Sequence, residues 1–158
     1  MLGQYMIKQQ FPVGLQVKVL DQEEFEWIHA KGLNTEQIFL QLPRPLRLEV
    51  YVHLYYQLVS SVPVFKNTDD LFKVALCERI SMITVRAGFY ICKAGDQGDE
   101  MYFIRRGKVD IYTRDETKLL VSLGAGAFFG EVALYMESTR SATAKTAMDS
   151  ELVHTAAS

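Results

Sequence analysis

Phe129-Gly130-Glu131-Val132-Ala133-Leu134, with Arg140-Ser141-Ala142 beginning nine residues after the glutamate, is the stretch on which the reading of this chain turns. It sets a glycine, a carboxylate and a guanidinium around one short turn. Gly130 has no Cβ to keep an anion away from backbone N–H groups. If Glu131 to Leu134 form one helical turn, its free N–H groups and positive dipole end point at that anion. Arg140 supplies a forked, charge-assisted donor for a phosphate. Glu131, acceptor-only when ionised, suits a sugar hydroxyl instead. The ligand class these groups fit is a ribose carrying an anionic phosphate.

The run resembles the phosphate-binding cassette of the cyclic nucleotide-binding domain family: Phe-Gly-Glu-aliphatic-Ala-Leu, a five-residue spacer, then Arg-Ser-Ala. Arg86 to Asp96 resembles the family's strand–turn–strand, and Met101 to Gly107 its next strand. The resemblance implies that Arg140 and the N–H groups near Gly130 and Ala133 hold the phosphate, with Val132 in the same turn. It implies that Glu131 meets the ribose 2′-hydroxyl. Ser141 stands where the family often has a hydroxyl residue able to meet a guanine amino group, so both cAMP and cGMP stay open. Val121 and Leu123 alternate with Ser122 and are assigned to the purine; plain core packing is their other reading. Glu137 replaces a glycine common in the spacer, so the turn is expected to differ slightly there. The family continues past the position of Ser158 into helices that close over the base. Without that lid, weaker binding and an incomplete switch are expected.

The pattern around the cassette is all-β. From Ile80 onward, short β-branched and aromatic runs alternate with glycine-containing turns: Ile83–Arg86, Phe89–Cys92, Met101–Ile104, Val109–Thr113, Leu119–Leu123 and Glu151–His154. Strands this short and close predict a roll or sandwich. Parallel units would need intervening helices for which there is no room. Gly88, Gly95 and Gly107 mark turns that need positive φ.

Residues from about 4 to 78 predict helices. Pro12 opens one, in which Val13, Val17, Leu20, Trp27 and Ile28 recur at helical spacing opposite Asp21, Glu23, Glu24 and Glu26. Gly32 breaks it, and Asn34 with Gln37 forms a capping-box pattern for a short helix. After Pro43 and Pro45, Leu46, Val50, Leu54 and Leu58 form an i, i+4 stripe. Pro63 interrupts, and Asn67 to Asp70 provides caps for a last helix. The expected fold class is α+β: N-terminal helices, then an antiparallel, jelly-roll-like β-roll with a short internal phosphate-binding helix.

The helical part, above all Leu42-Pro43-Arg44-Pro45-Leu46-Arg47-Leu48-Glu49-Val50, resembles the C-linker of cyclic-nucleotide-gated and hyperpolarisation-activated channels. That resemblance divides the chain into a C-linker-like region, 1–60, and a nucleotide-binding domain, 61–158. It implies a cyclic-nucleotide-sensing module on the cytosolic side of a cation channel, with a homotetramer built through the N-terminal helices. The alternatives are a regulatory subunit of a cyclic-nucleotide-dependent kinase, for which residues 1–60 lack an inhibitor segment, and a nucleotide-silent scaffold, against which Glu131 and Arg140 argue. A transcription factor of the catabolite-activator type would need a helix-turn-helix after the lid.

Composition narrows the classes further. At 158 residues, 49% hydrophobic and 23% charged, the chain can bury a core, and its net charge of -2 gives no signal for nucleic acid or acidic membranes. No run reaches about 18 apolar residues, so no membrane insertion by this segment is expected. The start, Met1-Leu2-Gly3-Gln4, does not read as a signal peptide. Cys77 and Cys92 lack partners at metal or redox spacing, which suits buried thiols in a reducing compartment. His29, His53 and His154 form no ligand pattern. With no nucleophile–base or metal constellation legible, an enzyme is not expected, and the ligand cyclic nucleotide is the only small molecule implied, with no cofactor.

Overall fold

The computed structural model describes residues 1–30, 35–134 and 138–156. The chain divides into two compact units, Met1–Asn34 and Thr35–Ser158.

In the first unit, α1 (Leu2–Lys8) and α2 (Val13–Ala30) are joined by a tight turn at Gln10, where φ is 56°. Pro12 stands immediately before α2, and its carbonyl accepts from the N–H groups of Leu15 and Gln16 at 2.9 and 3.0 Å. The apolar stripe anticipated on α2 is present but uncovered: Val13, Val17, Leu20, Trp27 and Ile28 are 44–76% exposed. Gly32 and Asn34, read as breaker and cap, lie outside the described residues.

The second unit begins with α3 (Thr35–Leu40) and α4 (Arg44–Ser61), then a 3-10 turn (Pro63–Phe65) and α5 (Asp70–Glu78). Pro45 falls in the first turn of α4, where its missing N–H costs nothing. Asp69 caps α5 as expected, its carboxylate accepting from the Phe72 N–H at 2.7 Å. The buried face of α4 differs from the anticipated stripe. Tyr51, Tyr55 and Val59 are buried, while Leu46 and Leu54 are exposed and Val50 and Leu58 half-buried. The inward face is therefore rotated by one residue, because tyrosine carries a large apolar ring that buries well despite its polar tip. Leu46, Val50 and Leu54, with Phe39 and Val74, instead line an open apolar groove.

The strands are β1 (Ile80–Val85), β2 (Tyr90–Cys92), β3 (Gln97–Gly98), β4 (Glu100–Arg106), β5 (Lys108–Tyr112), β6 (Leu119–Gly124), β7 (Phe128–Phe129), β8 (Ser138–Thr139), β9 (Thr143–Thr146) and β10 (Ser150–Ala156). Two four-stranded sheets form, ordered β1-β10-β4-β7 and β2-β9-β5-β6, with a small β3-β8 pair, and every described pairing is antiparallel. This is the α+β architecture of helices followed by an antiparallel roll.

The first sheet carries a core on each face. Met101 and Phe103 of β4, Val153 of β10 and Ile80 of β1 pack against Tyr51, Val59, Phe65, Leu76 and Cys77 of the helical layer. Tyr102 and Ile104 of β4 and Leu152 of β10 pack inward with Val109 of β5 and Ala144 of β9. Side-chain alternation along one strand thus joins helices to roll. By packing, α4 is part of the second unit. The chain passes between the sheets at Gly107, where φ is 100° and an added Cβ would collide with the Ser150 side chain. Only glycine fits there.

β9 was not anticipated. Thr143-Ala144-Lys145-Thr146 has no apolar run, yet it lies between β2 and β5. Thr143 and Thr146 are buried on either side of Ala144, and their hydroxyls accept from the N–H groups of Ala94 and Phe89 at 3.0 and 2.9 Å. Both cysteines are free; Cys77 is buried and Cys92 half-buried. No helix among the described residues is long and apolar enough to cross a membrane.

Candidate functional site

β7 delivers the chain to the site. Phe128 and Phe129 pair with Phe103 and Tyr102 of β4. Gly130 then turns the backbone with φ 81°, and Glu131–Leu134 form a single 3-10 turn. The glycine is needed twice over. Its φ is one that other residues adopt only at a cost, and a Cβ would sit 2.6 Å from Arg140 Nη1 and 2.9 Å from the Glu100 carbonyl oxygen.

Arg140 approaches from the other side, after β8 has paired with β3. Its N–H donates to the Asp96 carbonyl and its carbonyl accepts from the Gly95 N–H, both at 2.7 Å. That turn is closed by the Asp96 carboxylate, which accepts from the Lys93 N–H at 2.9 Å. The arginine backbone is therefore fixed before its side chain makes any contact. Nη2 donates to the Glu100 carbonyl at 2.5 Å, and the guanidinium carbon lies 5.9 Å from the centre of the Tyr102 ring. Gly98 leaves room alongside, since a Cβ there would be 3.1 Å from Nε.

Nε itself is enclosed and finds no acceptor among the described residues. A buried donor left unpaired costs about 1–3 kcal/mol, and more when charged. An anionic oxygen is the partner that would remove that cost. The surroundings also shift their neighbours' titration. Burial, then the hydrogen bond to Glu100, pushes the Tyr102 hydroxyl well above its ordinary value. Burial raises the Cys92 thiol, with the Arg140 charge opposing it.

Gly130 and Arg140, anticipated from spacing alone, meet in space. Glu131, half-buried, and Val132, exposed, follow in the same turn, and Ala133 stands in its middle. Ser141 is exposed next to Arg140. Val121 and Leu123 of β6 pair with Ile111 and Val109, so they share one face. Leu123 packs with the interior cluster that includes Phe129, whereas Val121 is 46% exposed. Glu137 lies outside the described residues. The residues that sequence reading missed are Gly98, Glu100 and Tyr102, together with the Gly95–Asp96 main chain. The period-two placement of Glu100 and Tyr102 on one strand face was visible; their proximity to Arg140 was not.

A family model for the cyclic nucleotide-binding domain matches residues 82–158, which include the cassette, β4 and Arg140. This part of the chain belongs to the cyclic nucleotide-binding domain family. The similarity reaches beyond the domain. A cyclic nucleotide-gated cation channel protein of Drosophila melanogaster is 30% identical over 91% of this chain and 22% of its own length. Putative cyclic nucleotide-gated ion channel 15 of Arabidopsis thaliana is 33% identical over 83% of this chain and 20% of its own. A cyclic nucleotide-gated channel of Caenorhabditis elegans is 26% identical over 84% and 18%. The chain spans about a fifth of the length of the curated relatives it matches.

Proposed function

We propose that the cyclic nucleotide-binding domain senses cAMP or cGMP and that the chain is the nucleotide-sensing part of a cation channel. The observation that carries the binding reading is the enclosed Arg140 Nε, without an acceptor among the described residues, beside the positive-φ turn at Gly130. In this reading the cyclic phosphate accepts from Arg140 Nε and from the N–H groups at Gly130 and Ala133. Glu131 accepts from the ribose 2′-hydroxyl, and Val132 flanks the turn. Val121 and Leu123 flank the purine, with Ser141 near its edge. The chemistry is recognition: charge neutralisation and hydrogen bonding, with no bond made or broken.

The names of the relatives, all channels, support the channel reading. So do the uncovered apolar stripe of α2 and the groove along α4, which suit helices that pack against further protein. Residues 1–60 then correspond to the C-linker and 61–158 to the nucleotide-binding domain, with a homotetramer formed through the helices. Nucleotide binding tightens the cassette, and the helical region carries that change toward the pore.

The test is a titration of fluorescent cAMP and cGMP against the chain and its Arg140→Ala variant. A hydrogen bond to a charged group contributes about 1.5–3 kcal/mol, so the variant should bind roughly 10- to 100-fold more weakly. Equal binding by both would refute the phosphate assignment. Sedimentation tests the assembly: concentration-dependent association supports the channel reading, and a strict monomer at high concentration favours a kinase regulatory subunit.

A further inference from the structure

Phe129, Tyr102 and His154 stand side by side on three adjacent strands, since Tyr102 pairs with Phe129 of β7 on one side and His154 of β10 on the other. The Tyr102 ring is stacked on both neighbours, at 5.2 Å and 18° from Phe129 and at 6.0 Å and 28° from His154. Two residues along the same face of β4, the Glu100 carboxylate is held at both oxygens. Oε2 accepts from the Tyr102 hydroxyl at 2.5 Å, and Oε1 lies 3.3 Å from His154 Nδ1. The main-chain carbonyl of this same Glu100 accepts from Arg140 Nη2. The Tyr102 ring also underlies the guanidinium.

Packing alone does not account for this arrangement. Tyr102 is 7% exposed among apolar side chains, a place that phenylalanine would fill, as Phe129 does beside it. Burying a hydroxyl and drawing a carboxylate out of water to meet it both carry desolvation costs. What the contact secures is the peptide that holds Arg140 and the ring on which it rests. Resting on the reading of Arg140 as the phosphate ligand, we propose that Tyr102 and Glu100 are positioning residues for its guanidinium, with His154 bracing Glu100 from β10. They act through Arg140 and touch no nucleotide. An arginine pre-set in this way loses less freedom when the anion arrives.

The test combines Tyr102→Phe, which keeps the ring, with Glu100→Ala, which keeps the carbonyl, and Glu100→Gln, which keeps an acceptor for the tyrosine. Against fluorescent cAMP, the first two should bind roughly three- to tenfold more weakly than the parent. Glu100→Gln should recover most of that loss. In the Arg140→Ala background, Tyr102→Phe should change nothing further. An equal loss in both backgrounds, or no loss in either, overturns the proposal.

A second readout needs no nucleotide. In 15N-arginine-labelled protein the Arg140 Nε–H resonance, assigned by its absence from Arg140→Ala, should exchange slowly with solvent. Tyr102→Phe and Glu100→Ala should speed that exchange several-fold. Unchanged exchange in both overturns the proposal whether or not the chain binds cAMP. Faster exchange in a chain that binds no nucleotide sustains the positioning role and refutes the function it was read to serve. If Tyr102→Phe fails to fold, Glu100→Ala, at a part-exposed side chain, carries both readouts.

Discussion

Replacing Gly130 with alanine adds one methyl group and should undo the site. Alanine at φ 81° is strained, at about 1–2 kcal/mol for a left-handed residue with a Cβ. The new methyl would stand 2.9 Å from the Glu100 carbonyl oxygen, which belongs to a paired strand and moves only with it, and 2.6 Å from Arg140 Nη1. The arginine, the end of a flexible side chain, is what yields. It then loses the hydrogen bond from Nη2 to Glu100 and its seat on Tyr102. Two effects follow, on separate observables. The thermal midpoint should fall by roughly 2–8 °C, from the strain and the scaling for a domain of this size. Nucleotide affinity should fall by roughly 10- to 100-fold, much as in Arg140→Ala, because the same guanidinium is lost to the phosphate. The two substitutions should not add, since one acts through the other. Differential scanning fluorimetry and a fluorescent-nucleotide titration on both single variants and the double variant measure this. A Gly130→Ala protein that binds as tightly as its parent, or a double variant whose losses sum in full, would refute the reasoning.

Three more outcomes check the fold around the site. Phe65, fully buried where the helical layer meets the first sheet, should cost about 3–5 kcal/mol when changed to alanine, whereas Leu71→Ala, at a residue 82% exposed, should stay within about 0.5 kcal/mol by urea unfolding. Asp69→Ala removes the cap of α5 and should cost about 1 kcal/mol on the same assay. Burial raises the Cys77 thiol from 9.0 to about 11, so on unfolding it releases its proton at lower pH. Stability from this thiol is present below pH 9 and is lost as pH rises toward 11, and a Cys77→Ala variant should show a shallower decline across that window in pH-dependent melts.

Much of this was readable from the chain because the signals are local. Asp69 caps α5 three residues before the N–H it accepts from, and Gly130 and Arg140 belong to one short motif whose spacing survives any rearrangement elsewhere. What escaped depends on distance or on short length. β3, β7 and β8 are two-residue strands with no period to detect. β9 is held by threonine hydroxyls bonded to turns that precede it by some fifty residues, so its burial has no hydrophobic signature. On α4 the tyrosines take the inward face over the leucine stripe, and the Met101, Phe103 and Val153 side chains they pack with come from strands far along the chain. Tyr102 and His154 read as an ordinary aromatic and an ordinary histidine until the register of β4 against β10 set them side by side.

The alternation of β4 makes it a ribbon written on both sides. Its even-numbered residues, Tyr102 and Ile104, speak to the interior, and its odd-numbered ones, Met101 and Phe103, to the helices. The side that carries Arg140 and the side that carries the helices therefore occupy separate addresses on a single backbone, one residue apart in the gene and on opposite faces of the sheet in space. A substitution at 101 or 103 falls on the packing against the helices, and one at 102 on the packing beneath Arg140, so each face can vary without a change of residue on the other.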